Sequence, residues 1–184
     1  GLLVDGSFDP GLSPAEPHPL LVRSGDPRVD VQAALAMLAP EWGMGQVLDI
    51  SDEQARTDLA RASVMALSFT AQSARGIGVP WVPQQVIDEG ETIAERFLLR
   101  WRGEAHPDHA KAIDAYWISA AEHGMNASTF TARVIASTGA DVAAAMSGAV
   151  GALSGPLHGG APSRVLTMLD EVDAMGDADA WVKS

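Results

Sequence analysis

The chain has 184 residues, the length of one domain or of one domain and a piece of another, and 47% of them are apolar, enough for a real core. Its formal charge of −12, with no basic cluster, excludes a phosphate-neutralising face for nucleic acid, although a local positive pocket for a small anion stays open. With no cysteine there are no disulfides, thiolate chemistry or cysteine metal sites.

Abundant Ala and few β-branched runs favour helices over sheet. No Leu/Ile/Val/Phe run is long enough to span a bilayer; the nearest case, Val142 to Leu153, is mostly Ala and Gly. A cytoplasmic location without membrane contact is the expectation. Both ends look cut, because Gly1 replaces an initiator Met and Trp181-Val182-Lys183-Ser184 falls inside a periodic pattern.

Residues 5 to 28 are rich in Pro, Gly and Asp and read as an irregular connection with a short helical turn near Ala15. Asp30 reads as the cap of a short apolar helix, Val31 to Leu38, closed by Pro40 and two glycines. Ser51-Asp52-Glu53 starts a longer helix to about Arg75, where Leu59, Ala62, Val64, Met65, Leu67 and Phe69 recur at helical spacing until Gly76-Ile77-Gly78 stops it. After the break from Pro80 to Pro83, Thr92 to Arg102 is a helix with Ile93, Phe97 and Leu98 on one side.

Pro107 opens the next helix, through Ala110, Ile113, Tyr116, Trp117 and Ala120 to His123. The helical period resumes over Ala127 to Ser137, and Gly139 breaks it. Asp141 to Leu153 is a helix of almost only Ala, Gly, Ser and Met, whose small side chains predict close packing on other helices or a second subunit. Pro162 begins a helix with Val165, Leu166, Met168 and Leu169, and Asp177 opens a last fragment. With no strand alternation and no repeat, the fold class is all-α.

Chemistry concentrates in Gly151-Ala-Leu-Ser-Gly-Pro-Leu-His158-Gly-Gly-Ala161. The glycines let another molecule approach the backbone closely, and Pro156 stiffens the turn. His158 therefore reads either as a catalytic imidazole on a wall or as a surface turn histidine. A neutral imidazole can donate from one nitrogen while the other is held, which suits polarising a substrate carbonyl, and the positive end of the helix from Pro162 disfavours the charged ring. Taken alone, His123 reads more simply as a satisfied helix histidine.

Asn126, Ser128, Thr129 and Thr131 read as back-bonding groups or as orienters of the histidines. The five histidines show no metal-ligand pairing, and His106 and His109 read as a solvated helix start. Arg75, Arg100, Arg102, Arg133 and Arg164 are anion contacts only if the fold gathers them. A triad of Ser128, His158 and Asp141 lacks the Gly-x-Ser-x-Gly elbow.

The segments His123-Gly-Met-Asn-Ala-Ser-Thr-Phe-Thr-Ala-Arg-Val134, Gly151 to Ala161 and Val165-Leu-Thr-Met-Leu-Asp-Glu-Val172 resemble the central motifs of citrate synthases, including the related 2-methylcitrate synthases. Ala74-Arg75 and Glu95-Arg96-Phe97-Leu98 resemble upstream elements of the same family. The resemblance implies a multi-helical homodimer that condenses acetyl-CoA, a co-substrate rather than a cofactor, with oxaloacetate to give citrate and CoA. It also implies a partial large domain over residues 1–158 and the first helices of a small domain over 159–184.

Carried over by position, His158 resembles the catalytic histidine that donates a hydrogen bond to the thioester carbonyl, and His123 the one that binds oxaloacetate. Ser128 resembles the serine that orients the catalytic histidine, and Asn126 a supporting residue. The family's aspartate base and its Gly-His-Arg segment do not appear, and Ala161-Pro162-Ser163 replaces the more usual Ala-Asn-Glu. The 184 residues alone are therefore expected to be inactive. A propionyl-CoA-using 2-methylcitrate synthase and a non-catalytic helical module for dimerisation or ligand sensing are the alternatives.

Overall fold

The computed structural model describes Gly6 and residues 18–160 and 162–184; the turn expected near Ala15 lies outside the described residues. The helices are α1 (Pro27–Trp42), α2 (Asp52–Ala74), α3 (Gln84–Ile87), α4 (Ile93–Arg102), α5 (Pro107–Ala120), α6 (Ala127–Ser137), α7 (Val142–Leu153), α8 (Pro162–Met175) and α9 (Ala178–Lys183). Among the described residues there is no strand, as the composition predicts.

Most helix starts are made where the sequence places a short polar cap. Ser51 accepts from the Gln54 N–H, Asp141 from the Ala144 N–H, and Asp177 from the Ala180 N–H. Thr92 and Glu95 close a reciprocal capping box at the start of α4, and Gly103 ends that helix in the left-handed conformation.

Three boundaries differ from the sequence expectation. α1 begins four residues before Val31, because Asp26 caps it and Pro27 occupies the first turn; Asp30 is not the cap but an internal, buried residue. Pro40 does not end α1 but lies inside it, and Gly43 at φ 63° closes the helix instead. α5 ends at Ala120 rather than His123, and the Glu122 carboxylate accepts the Gly124 N–H at 2.8 Å, a local bond that competes with further helix.

The core lies where α1, α2 and α7 meet. Leu20, Val31, Leu35, Leu38, Ala62, Met65, Phe69, Val142 and Ala143 form one buried cluster. On α2 the buried positions Asp58, Ala62, Met65, Phe69 and Gln72 recur at three- and four-residue steps, so a single stripe faces inward. Gln72 fixes the incoming chain to this stripe: its Oε1 accepts the Leu20 N–H and its Nε2 donates to the His18 carbonyl.

α7 lies between α1 and α6, and its small residues explain why it fits. A Cβ on Gly148 would collide with Cδ1 of Ile135 in α6, and one on Gly151 would sit 2.8 Å from Nε2 of Gln32 in α1. The Ser147 hydroxyl donates to the Gln32 carbonyl at 2.9 Å, adding a polar tie at the same crossing. Only Val142 and Ala143 of α7 are fully buried, so the helix is a half-covered layer.

A second, smaller cluster joins α4 to α5 through Ala94, Leu98 and Ala110, with Phe97 meeting Trp117 edge-on at 5.3 Å. α8 and α9 pack on each other and, among the described residues, on no other helix. Among the described residues no helix is long and apolar enough to cross a membrane.

Candidate active site

His158 sits in the turn that follows α7. Its N–H donates to the Gly155 carbonyl at 2.9 Å, and the Gly160 N–H reaches the same oxygen at 3.1 Å, which winds the loop tightly. Glycine is required at 159 for space: a Cβ there would lie 2.5 Å from the Leu153 carbonyl oxygen, a backbone atom that cannot move aside. The imidazole is half-buried.

Across from it, α6 begins with Asn126 as cap. The Asn126 Oδ1 accepts the Thr129 N–H at 3.0 Å and the Ser128 hydroxyl at 2.8 Å. The Ser128 Oγ lies 3.0 Å from His158 Nε2, joining segments thirty residues apart. Asn126, Ser128 and His158 are thus a connected polar chain, so that two of the four residues read as possible orienters are linked to this histidine.

Proton accounting restricts what this chain does. A serine hydroxyl has one proton. If it goes to Asn126, Oγ accepts from a protonated Nε2; if it goes to Nε2, that nitrogen also faces the Ser128 N–H at 3.4 Å and the ring proton is on Nδ1. Among the described residues Nδ1 has no hydrogen-bond partner, so it is the ring atom left for a ligand. In the second arrangement a neutral His158 donates from Nδ1.

His123 lies in the connection between α5 and α6, exposed, three residues before the Asn126 cap. Among the described residues it has no hydrogen bond or ring contact with His158. Nor are the arginines gathered around His158. Arg75 donates to the carbonyls of Pro80 and Trp101, Arg102 lies over the Trp101 ring, and Arg100 is bonded to Gln84. Arg133 is exposed, and the Arg164 side chain and the contacts expected at 161–163 lie outside the described residues.

Asp141 caps α7 and is therefore not the third member of a triad. His106 accepts from the Asp108 N–H at 3.3 Å, the helix-start role that the sequence suggested. Among the described residues no three His, Cys, Asp or Glu side chains are grouped to hold a metal. A pair that the sequence reading did not single out is His18 with Glu41, whose Nε2 and Oε2 are 2.8 Å apart beside Trp42 and Phe69. Its only local signal is the dipeptide His18-Pro19.

A family model described as citrate synthase, C-terminal domain, matches residues 20–184. The chain belongs to the citrate synthase family. It is 71% identical over 182 residues to "Putative citrate synthase 2" of Mycobacterium tuberculosis, covering 99% of this chain and 49% of that protein. It is 41% identical over 103 residues to 2-methylcitrate synthase 2 of Corynebacterium glutamicum, covering 53% of this chain and 27% of that protein.

Among solved structures, citrate synthase from Pyrobaculum aerophilum aligns with a TM-score of 0.57 at 27% identity, over 79% of this chain and 38% of that one. Citrate synthase from Thermotoga maritima aligns with a TM-score of 0.55 at 29% identity, over 77% and 36%. The all-helical architecture is therefore that of the family. The chain spans about half the length of the most similar of these relatives.

Proposed function

We propose that this chain carries the enol-stabilising histidine of a citrate synthase that condenses acetyl-CoA with oxaloacetate. The observation behind the reading is the Asn126–Ser128–His158 chain, with Nδ1 the free end of the ring. In the reaction a base removes a methyl proton from acetyl-CoA, and negative charge develops on the thioester oxygen. A neutral imidazole donating from Nδ1 stabilises that charge where it appears, and this tautomer is kept when the single Ser128 proton turns from Asn126 Oδ1 to Nε2. The enol carbon then bonds to the oxaloacetate carbonyl, which gains a proton. Water cleaves the citryl thioester to citrate and CoA.

His123 is assigned to oxaloacetate, which it would meet from an exposed position. Among the described residues no carboxylate base is part of the polar chain around His158, and the family's Gly-His-Arg segment is absent from the sequence. The base and the remaining oxaloacetate contacts are therefore assigned to parts of the protein outside this chain. The reading needs no cofactor.

The exposed apolar side chains Tyr116 and Ile118 of α5, 67% and 69% exposed, support a homodimer through the large-domain helices. The separate packing of α8 and α9 supports a small-domain start near residue 159.

The test is CoA release from acetyl-CoA plus oxaloacetate by the whole protein that contains this chain. Release is expected there and not from the 184-residue chain alone, and turnover by the latter would contradict this division of roles. The similarity to a protein named 2-methylcitrate synthase 2 favours a second reading, with propionyl-CoA as acyl donor. The two differ by one methylene of room, so competition between the two acyl-CoAs decides. Failure to release CoA from either would leave a helical module for dimerisation or ligand sensing.

A further inference from the structure

A cleft of about 190 Å³ opens beside α2 and α4, lined by His18, Pro19, Gln72, Trp81, Val82, Gln84 and Arg100. It shares no residue with the polar chain around His158. Arg100 is only 9% exposed, yet among the described residues no carboxylate lies within ion-pair distance of it. Its Nη2 donates to Gln84 Oε1 at 3.1 Å, and Gln84 Nε2 in turn donates to Asp88 Oδ1 at 2.8 Å. The nearest compensating charge therefore reaches the guanidinium through one amide.

A guanidinium has five N–H donors, and Gln84 takes one. Among the described residues no fully buried side-chain nitrogen lacks a hydrogen-bond partner, so the remaining Arg100 nitrogens keep access to the cleft. Burial pulls the Arg100 pKa down and Asp88 pushes it back up, but an arginine stays charged throughout the accessible pH range. A desolvated cation whose compensating carboxylate, Asp88, stays beyond ion-pair distance keeps part of its burial cost, and an anion in the cleft removes it.

The other walls say what kind of anion. Gln72 has both ends occupied, by Leu20, His18 and Ser68, and offers the cleft no free donor. Glu41 holds His18. Pro19, Val82 and the Trp81 ring are apolar, and Arg23 stacks on Trp81 at 4.0 Å, fixing the ring and adding positive charge behind it.

We infer that this cleft binds a small organic carboxylate, its head in the fork of Arg100 and its apolar body against Trp81 and Val82. A planar carboxylate matches the two parallel N–H bonds of a guanidinium, and a body without polar groups suits the walls. Inorganic phosphate would leave its remaining oxygens against those apolar walls.

The test uses the full-length protein labelled with 5-fluorotryptophan, its Trp81 resonance assigned with Trp81→Phe. Benzoate is expected to shift that signal saturably, while the neutral isostere benzamide and inorganic phosphate bind at least about ten-fold more weakly. Arg100→Gln should lose the benzoate shift. Arg100→Lys, which keeps the charge without the fork, should bind benzoate more weakly but still ahead of benzamide.

Equal binding of benzamide would reduce the cleft to an apolar crevice and overturn the inference. So would equal binding of phosphate, no saturable shift, or a benzoate response unchanged in Arg100→Gln. If Arg100→Gln loses the folded spectrum, the benzoate-to-benzamide ratio in the wild type and in Arg100→Lys decides.

Discussion

The region where α1, α2 and α7 meet and the region that carries His158 are held together by different means. In the first, Leu35, Leu38, Met65 and Phe69 are at most 1% exposed, and burial of this kind gives most of a small domain its stability. In the second, α6 has no fully buried residue, and the geometry rests on a cap, a serine hydroxyl and the lack of a Cβ at 159. The lesson is that the scaffold can be damaged without touching the site's chemistry, and the site can be damaged with little loss of stability.

The largest contrast should come from two phenylalanines. Phe69→Ala empties a fully buried position and is expected to lower stability by about 3–5 kcal/mol, seen as a shift in the denaturant midpoint. Phe130→Ala, at a position 58% exposed on α6, should cost less than about 1 kcal/mol in the same assay. Comparable losses would erase the distinction between the regions.

Gly159→Ala comes next. Its Cβ would sit 2.5 Å from the Leu153 carbonyl oxygen, so the loop must rearrange, at about 1–3 kcal/mol, and His158 with it. The sharper readout is activity: loss of CoA release should exceed what the small shift in midpoint explains.

A smaller effect follows from Asp30, the buried carboxylate of the scaffold. Burial alone would raise its pKa, but bonds from the Ser73 hydroxyl, the Ser24 N–H and hydroxyl and the Gly25 N–H together hold it below the usual carboxylate value. A carboxyl depressed on folding adds stability that is present above its unfolded value of about 3.9 and disappears as pH falls through the folded one. Wild type should therefore lose more stability than Asp30→Asn between about pH 5 and pH 3. Parallel curves for the two proteins would contradict the assignment.

Smallest is Asn126→Ala, which removes the α6 cap at a cost of about 1 kcal/mol. It also leaves the Ser128 proton without its competitor for His158 Nε2. An unchanged midpoint would show that α6 does not depend on its cap.

Much of this was legible from the sequence because it is local. Ser51, Thr92, Asp141 and Asp177 announce their helices, since a cap needs only its own side chain and an N–H two or three residues on. The start of α1 was hidden because Asp26-Pro27 lies in a stretch of turn residues, and Pro40 was misleading because a proline inside a helix forfeits one bond to the i−4 carbonyl without having to end the helix, which Gly43 does here. The four residues of α3 carry too little pattern to detect.

At the site, the glycine-framed His158 was visible as a candidate, but its bond to Ser128 spans thirty residues, so local reading left Ser128 between back-bonding and orienting and the family resemblance singled out the second. Nothing local marks Asp30 or Arg100 as buried. Asp30 depends on Ser73 of α2, forty-three positions away, and Arg100 on a cleft assembled from four segments of chain.

The most direct test of the catalytic assignment is oxaloacetate-dependent CoA release by the whole protein, with His158→Ala and Ser128→Ala compared with wild type at unchanged fold. Removing the donor to a developing oxyanion should lower kcat by about a hundred- to a thousand-fold, and removing its positioning hydroxyl should lower it less. A His158→Ala protein that releases CoA at the wild-type rate would contradict the account.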